Sequence, residues 1–209
     1  MTPDTLLRAY GAGIFPMAAS RDAAPLHWID PEMRGIFPLA DFHISKSLQK
    51  TILKPDYQAS FNHNFEGVVT ACSDRDETWI NADLHSLYMQ LHDMGHAHSQ
   101  EIWDGETLVG GVFGVTLGQA FFGESMFSRR RDGSKLALAW LVDRLVQTGF
   151  SLFDTQFITP HLKSLGAIEI DREDYQNRLG RSVNDAADLT TLTSKQTAYD
   201  VIQRNTQTS

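Results

Sequence analysis

The feature that most constrains this chain is a change of hydrophobic period at Gly95. Upstream, Asn81 to Met94 carries Leu84, Leu87, Tyr88 and Leu91 at helical spacing, and Gly95 closes the helix. Downstream, His98–Trp103, Thr107–Val115 and Gln119–Phe122 read as three successive strands. The first turn between them carries Asp104-Gly105, a strong hairpin signal, and the second carries Gly118. A helix from Ser134 to Thr148 follows, with Leu138, Leu141, Val142 and Leu145 on one face and Gly149 as its stop. Ser151–Phe157 reads as a short buried strand, His161–Leu165 as a brief helix and Ala167–Ile170 as a last strand. A meander, a glycine-bearing turn, a long helix and a further strand suit an α+β domain.

That order is similar to the N-acetyltransferase arrangement, a mixed sheet with flanking helices, and the similarity of fold assigns no function by itself. Ahead of it, residues 5–10 form a short helix ending at Gly11, and Ser45 caps a helix that runs to Leu53 and closes before Pro55. Gly11 to Pro38 is rich in Gly, Pro and aromatics and reads as ordered loop. The expected division is a small N-terminal α/β domain over 1–60, an acetyltransferase-like catalytic domain over 61–180, and a polar, loosely held tail over 181–209. A chain of 209 residues with 42% hydrophobic content has room for one medium domain and a smaller piece.

A net charge of −8 disfavours indiscriminate nucleic-acid binding, so any such contact needs a local basic patch. Cys72, the only cysteine, excludes an intrachain disulfide and fits a reducing compartment. No apolar run approaches the roughly 18–20 residues of a membrane span. The first residues lack the cationic and apolar segments of a signal peptide, and a cytoplasmic protein with no membrane partner is expected.

Four constellations carry candidate chemistry. His92, His96 and His98 have metal-like spacing, but Gly95 places the last two beyond the helix, and no metal is assigned. Ser128–Lys135 is a basic turn entering a helix, where backbone amides favour anions. Its Arg130-x-x-Gly133 is similar to the pyrophosphate loop of acetyl-CoA enzymes, yet Lys135 stands where a small residue belongs, and no cofactor is assigned. Lys46, Lys50 and Lys54 recur every four residues; with Arg129, Arg130 and Arg131 they make a phosphate-backbone footprint, or else solvated surface. Asp154 and Gln156, two apart on a strand, project to one side among apolar neighbours, and Glu124 with Ser125 interrupts another apolar run. Each buried carboxylate then needs a hydrogen-bonding mate or a cationic ligand.

Together these segments resemble the leucyl/phenylalanyl-tRNA–protein transferases. The resemblance rests on Gly13-Ile-Phe-Pro-Met17, Trp28-Ile-Asp-Pro31 with Arg34, Phe42-His-Ile-Ser45 and Thr78-Trp-Ile80. It continues through Gly95-His-Ala-His-Ser99, Leu108-Val-Gly-Gly111, Phe122-Gly-Glu-Ser-Met-Phe-Ser128, Asp154-Thr-Gln156 and His161-Leu-Lys-Ser-Leu-Gly-Ala167. It spans residues from about 6 to 180, and its most specific pieces are the FGESMFS and D-x-Q motifs. Trp28 stands where many members have two tryptophans, and Asp132-Gly133 replaces a common Asn-Ala.

The resemblance implies that Leu or Phe, sometimes Met, moves from charged tRNA to proteins beginning with Arg or Lys, feeding N-end-rule degradation. It implies catalytic roles for Asp154 and Gln156, orienting the attacking amine, and for Glu124, which suits the acceptor's cationic side chain or the same amine network. Val112, Phe121, Met126, Leu141, Leu145 and Phe153 are the implied aminoacyl pocket, and Trp28 and Trp79 the adenosine entrance. A monomer is expected. Two other classes stay open: an acyl-CoA-dependent N-acyltransferase and a non-catalytic tRNA-binding module.

Overall fold

The computed structural model describes residues 1–21, 26–76, 78–194 and 196–207. The chain begins with α1 (Pro3–Gly11), capped by Thr2 and started by a proline that has no N–H to leave unsatisfied. Three strands follow: β1 (Phe15–Ala18), β2 (Leu26–Ile29) and β3 (Met33–Phe37). Then come α2 (Lys46–Ile52), β4 (Tyr57–Phe61), α3 (Phe65–Ser73) and α4 (Ala82–Asp93). The meander is β5 (Ala97–Asp104), β6 (Thr107–Leu117) and β7 (Ala120–Ser128), after which the chain enters α5 (Gly133–Gln147). It finishes with β8 (Leu152–Gln156), α6 (Pro160–Lys163), β9 (Ile168–Asp171), α7 (Arg172–Ser182) and α8 (Ala198–Gln207).

β1 and β2 form a separate hairpin, and the other seven strands form one mixed sheet in the order β4-β5-β6-β7-β8-β3-β9. Every described pairing in it is antiparallel except β7 with β8. One face carries a core built from α1, α3 and α4 through Leu6, Tyr10, Val68, Leu84 and Tyr88. The opposite face carries a second core built from α2, α5 and α8 through Leu48, Leu138, Leu141, Leu145 and Val201. This is the α+β, acetyltransferase-like arrangement expected from the order of periods.

Two expectations need correction. Gly11–Pro38 is not loop: it supplies β1, β2 and β3, and β3 sits inside the sheet between β8 and β9. Its alternation is concealed because Arg34 is buried, 1% exposed, so a polar letter stands at an interior position. The tail is also firmer than its composition suggests. Leu189 and Val201 are buried, and Arg204 grips the Asp143 carboxylate of α5 with both Nε (2.6 Å) and Nη2 (2.8 Å). A few apolar anchors and one bidentate pair suffice to dock a polar segment.

Candidate active site

The site forms where the parallel strands part. β7 and β8 pair only from Ala120 with Leu152 to Phe122 with Asp154, yet β7 runs on to Ser128 and β8 to Gln156. Both strands carry a bulge where they separate. On β7, Phe113 opposes Ser125 and Gly114 opposes Gly123, which leaves Glu124 as the extra residue. On β8, Gly35 opposes Gln156 and Ile36 opposes Asp154, which leaves Thr155. A bulge re-aims side chains. Gly35 allows the second one, since a Cβ there would lie 2.7 Å from Thr155 Oγ1.

The strand expected to carry Asp154 and Gln156 ends irregularly, and both residues join one buried network. Gln156 has φ 64°, a left-handed conformation unusual for a residue with a side chain. Its backbone N–H donates to Asp154 Oδ1 at 2.7 Å, while its side-chain Nε2 donates to Glu124 Oε1 at 3.2 Å. Asp154 faces away from the cleft. It is fully buried, and it accepts from Arg34 Nε (3.0 Å), Arg34 Nη2 (2.6 Å) and the Tyr175 hydroxyl (2.7 Å). The Arg34 guanidinium lies between the rings of Phe15 and Tyr175 and donates Nη1 to the Gly13 carbonyl. Burial works against that charge, but Asp154 more than offsets it.

Glu124 is the carboxylate that meets the cleft. Its two oxygens accept from Tyr10 and Tyr88 hydroxyls, each at 2.7 Å, and from the Gln156 amide. Burial pushes its pKa up to about 7, against the donors that hold it, with Asp154 raising it further. Burial, then Glu124, drives both tyrosine hydroxyls well above their ordinary range, so they remain donors at neutral pH. With its N–H given to a carboxylate, the Gln156 amide keeps its oxygen as acceptor, and among the described residues no donor meets that oxygen.

An apolar pocket opens at Glu124, with Val112, Met126 and Phe153 in its wall. Phe121, Leu141 and Leu145 are core rather than lining: Phe121 backs the pocket through an edge contact with Phe153, and the two leucines are buried on α5 in the second core. Phe37, Leu138 and Leu162 line it instead. They come from β3, α5 and α6, and no single stretch of sequence marks them as one wall. Trp79 packs edge-on against Tyr88, one residue from Glu124, whereas Trp28 stands 42% exposed on the outer hairpin. Tyr10, Tyr88, Arg34 and Tyr175 are site-builders that pattern reading takes as core or leaves without a role.

Lys46, Lys50 and Lys54 are exposed, Lys54 lying beyond the end of α2. The Thr51 hydroxyl meets Asp132 at 3.4 Å, so α2 and the exposed turn of Arg129, Arg130 and Arg131 are neighbours. The three histidines bond backbone instead: His92 Nδ1 with Ala97 O, His96 Nδ1 with Thr116 O and His98 Nε2 with Gly95 O. Burial pulls the His98 pKa down to about 4, which makes it a neutral bridge between the Gly95 carbonyl and Asn62. Among the described residues no His, Cys, Asp or Glu group could hold a metal ion. Nor is any described helix long and apolar enough to cross a membrane.

An apolar pocket reaches Glu124 where the sheet opens, and Glu124 in turn holds the Gln156 amide; likeness to known proteins places this site in a transferase. The chain belongs to the leucyl/phenylalanyl-tRNA protein transferase family, matching it over residues 36–180 and its N-terminal domain over residues 1–32. It is 59% identical to a leucyl/phenylalanyl-tRNA–protein transferase of Cereibacter sphaeroides, covering 100% of this chain and 98% of the relative. It is 54% identical to one of Ruegeria pomeroyi, covering 100% and 99%. Among solved structures it is similar in fold to FemX, with TM-score 0.53 and 11% identity over 80% of this chain and 66% of that one.

Proposed function

We propose that this protein transfers leucine or phenylalanine, and sometimes methionine, from charged tRNA to the α-amino group of proteins beginning with Arg or Lys. The observation that carries the reading is the Gln156 amide. Its N–H is anchored on Glu124, a residue that itself lines the apolar pocket, and its oxygen is left as an acceptor. The aminoacyl side chain occupies that pocket, which puts its ester carbonyl beside Glu124 and Gln156. The acceptor amine donates to the Gln156 oxygen and faces the Glu124 carboxylate. Its nitrogen attacks the carbonyl; a C–N bond forms, the C–O3′ bond breaks, and the tRNA leaves with a protonated 3′-hydroxyl.

An aminoacyl ester is already activated, so alignment is the main requirement, worth about 7–11 kcal/mol when complete. The amine ionises at about 7.7–8.0, so its deprotonation near neutrality costs little. Asp154 positions Gln156 and takes no part in proton transfer, because its oxygens are held by Arg34, Tyr175 and the Gln156 backbone. The exposed Lys46, Lys50 and Lys54, with Arg129, Arg130 and Arg131, attract the tRNA backbone locally in an acidic protein. On this reading the protein acts as a monomer in the cytoplasm and feeds N-end-rule degradation.

Supplying leucyl-tRNA and a peptide beginning with Arg tests the reading. Transfer to the peptide supports it. Acyl-CoA turnover without transfer, or tRNA binding without transfer, would replace it with the acyltransferase or the binding module respectively.

A further inference from the structure

A cavity of about 610 Å³ adjoins the apolar pocket, and Met126 lines both. Arg75, Arg129, Lys135 and His161 border it, opposed by Asp74 and Asp132. Asp132 is already engaged, by Thr51 Oγ1 at 3.4 Å, Arg131 Nε at 3.6 Å and Lys135 Nζ at 3.7 Å. His161 Nε2 is enclosed with no hydrogen-bond partner among the described residues. The 15-residue α5 begins at the cavity, and among the described residues nothing accepts the Lys135 backbone N–H. The cavity therefore has donors in excess of acceptors, beside a pocket lined mainly by apolar side chains.

In an aminoacyl nucleotide the ester and the 5′-phosphate sit on one ribose. Two cavities that share Met126 in their walls therefore suit the two ends of one such nucleotide. Resting on the aminoacyl-transfer reading, we propose that this cavity holds the phosphate that precedes the donor's 3′-terminal adenosine, with Lys135 and Arg129 as its charged partners. The turn then reads the end of the tRNA at one defined phosphate, beyond adding general positive charge.

Two unreactive amide analogues of phenylalanyl-adenosine, one bearing a 5′-phosphate and one without it, separate the possibilities by calorimetry. In the unaltered protein the phosphate tightens Kd about tenfold, the order expected of one charge-assisted contact. Lys135→Gln and Arg129→Gln each reduce that advantage to about twofold or less, and the phosphate-free analogue keeps most of its affinity. An equal Kd for the two analogues, an equal loss with both in the variants, or no binding of either would overturn the assignment. Transfer from leucyl-tRNA, measured in parallel, reports on the aminoacyl-transfer reading separately.

Discussion

Asp154 holds Gln156 by the backbone: its Oδ1 accepts the Gln156 N–H at 2.7 Å, while the Gln156 side chain turns away to Glu124. The carboxylate thereby stabilises a left-handed residue at the end of β8 and stays out of the cleft. Strain of this kind costs of order 1–3 kcal/mol and persists only when its surroundings over-determine it. Here Arg34, Tyr175 and the Thr155 bulge do so.

Glu124 has its pKa raised from an ordinary 4.5 to about 7, so it is protonated over the acid side of neutrality and becomes a carboxylate only as pH rises past 7. The acceptor amine must lose a proton over a neighbouring range. Below pH 7, log(kcat/KM) for transfer should therefore climb with a slope approaching about two, and Glu124→Gln should lower it to about one. An unchanged slope would remove Glu124 from the ionisations that matter.

The Arg34–Asp154 pair is buried on both sides, with side-chain exposures of 2% and 0%. Arg34→Ala leaves an uncompensated buried carboxylate and should lower the unfolding free energy by about 3–5 kcal/mol in a urea titration. A loss below about 1 kcal/mol would mean that the pair is open to water.

Gly35→Ala sets a methyl group 2.7 Å from Thr155 Oγ1 and 2.9 Å from the Phe157 carbonyl carbon, so the β8 bulge has to shift. Misplacing Gln156 by about 1 Å should cut kcat roughly 100-fold. tRNA affinity, measured by filter binding, should stay within about twofold; a parallel loss of binding would show wider unfolding.

Leu138 lines the apolar pocket from α5, and Leu138→Ala enlarges it. One methylene is worth about 1–3 kcal/mol in such a pocket, so the Phe-over-Leu preference in kcat/KM should rise about tenfold. Competition between the two charged tRNAs measures it, and an unmoved ratio would place the donor side chain elsewhere.

Lys46→Ala with Lys50→Ala should weaken tRNA binding and flatten its log–log salt dependence by roughly 0.7–0.9 for each phosphate that is no longer neutralised. A slope equal to that of the unaltered protein would make the stripe solvated surface.

The meander and the α5 helix are legible in the sequence because they repeat local periods punctuated by Gly105, Gly118 and Gly149, and the late strands because they are short apolar runs. The early strands are not, because Arg34 interrupts β3 and its burial depends on Asp154, 120 residues away. Val112, Met126 and Phe153 stand in the pocket wall, while Phe121, Leu141 and Leu145 belong to the core. Apolar letters alone do not separate a wall from the packing behind it.

By itself the sequence determined the α+β class and the family motifs, and it singled out Glu124, Asp154 and Gln156 as candidates, since periodicity and short motifs are local properties of the chain. Only the tertiary structure decided what those three groups face. Two bulges and a left-handed Gln156 replace the regular strand geometry. The mates that settle each carboxylate, Arg34 and Tyr175 for one and Tyr10 and Tyr88 for the other, arrive from distant elements because a buried charge must find partners wherever the fold brings them.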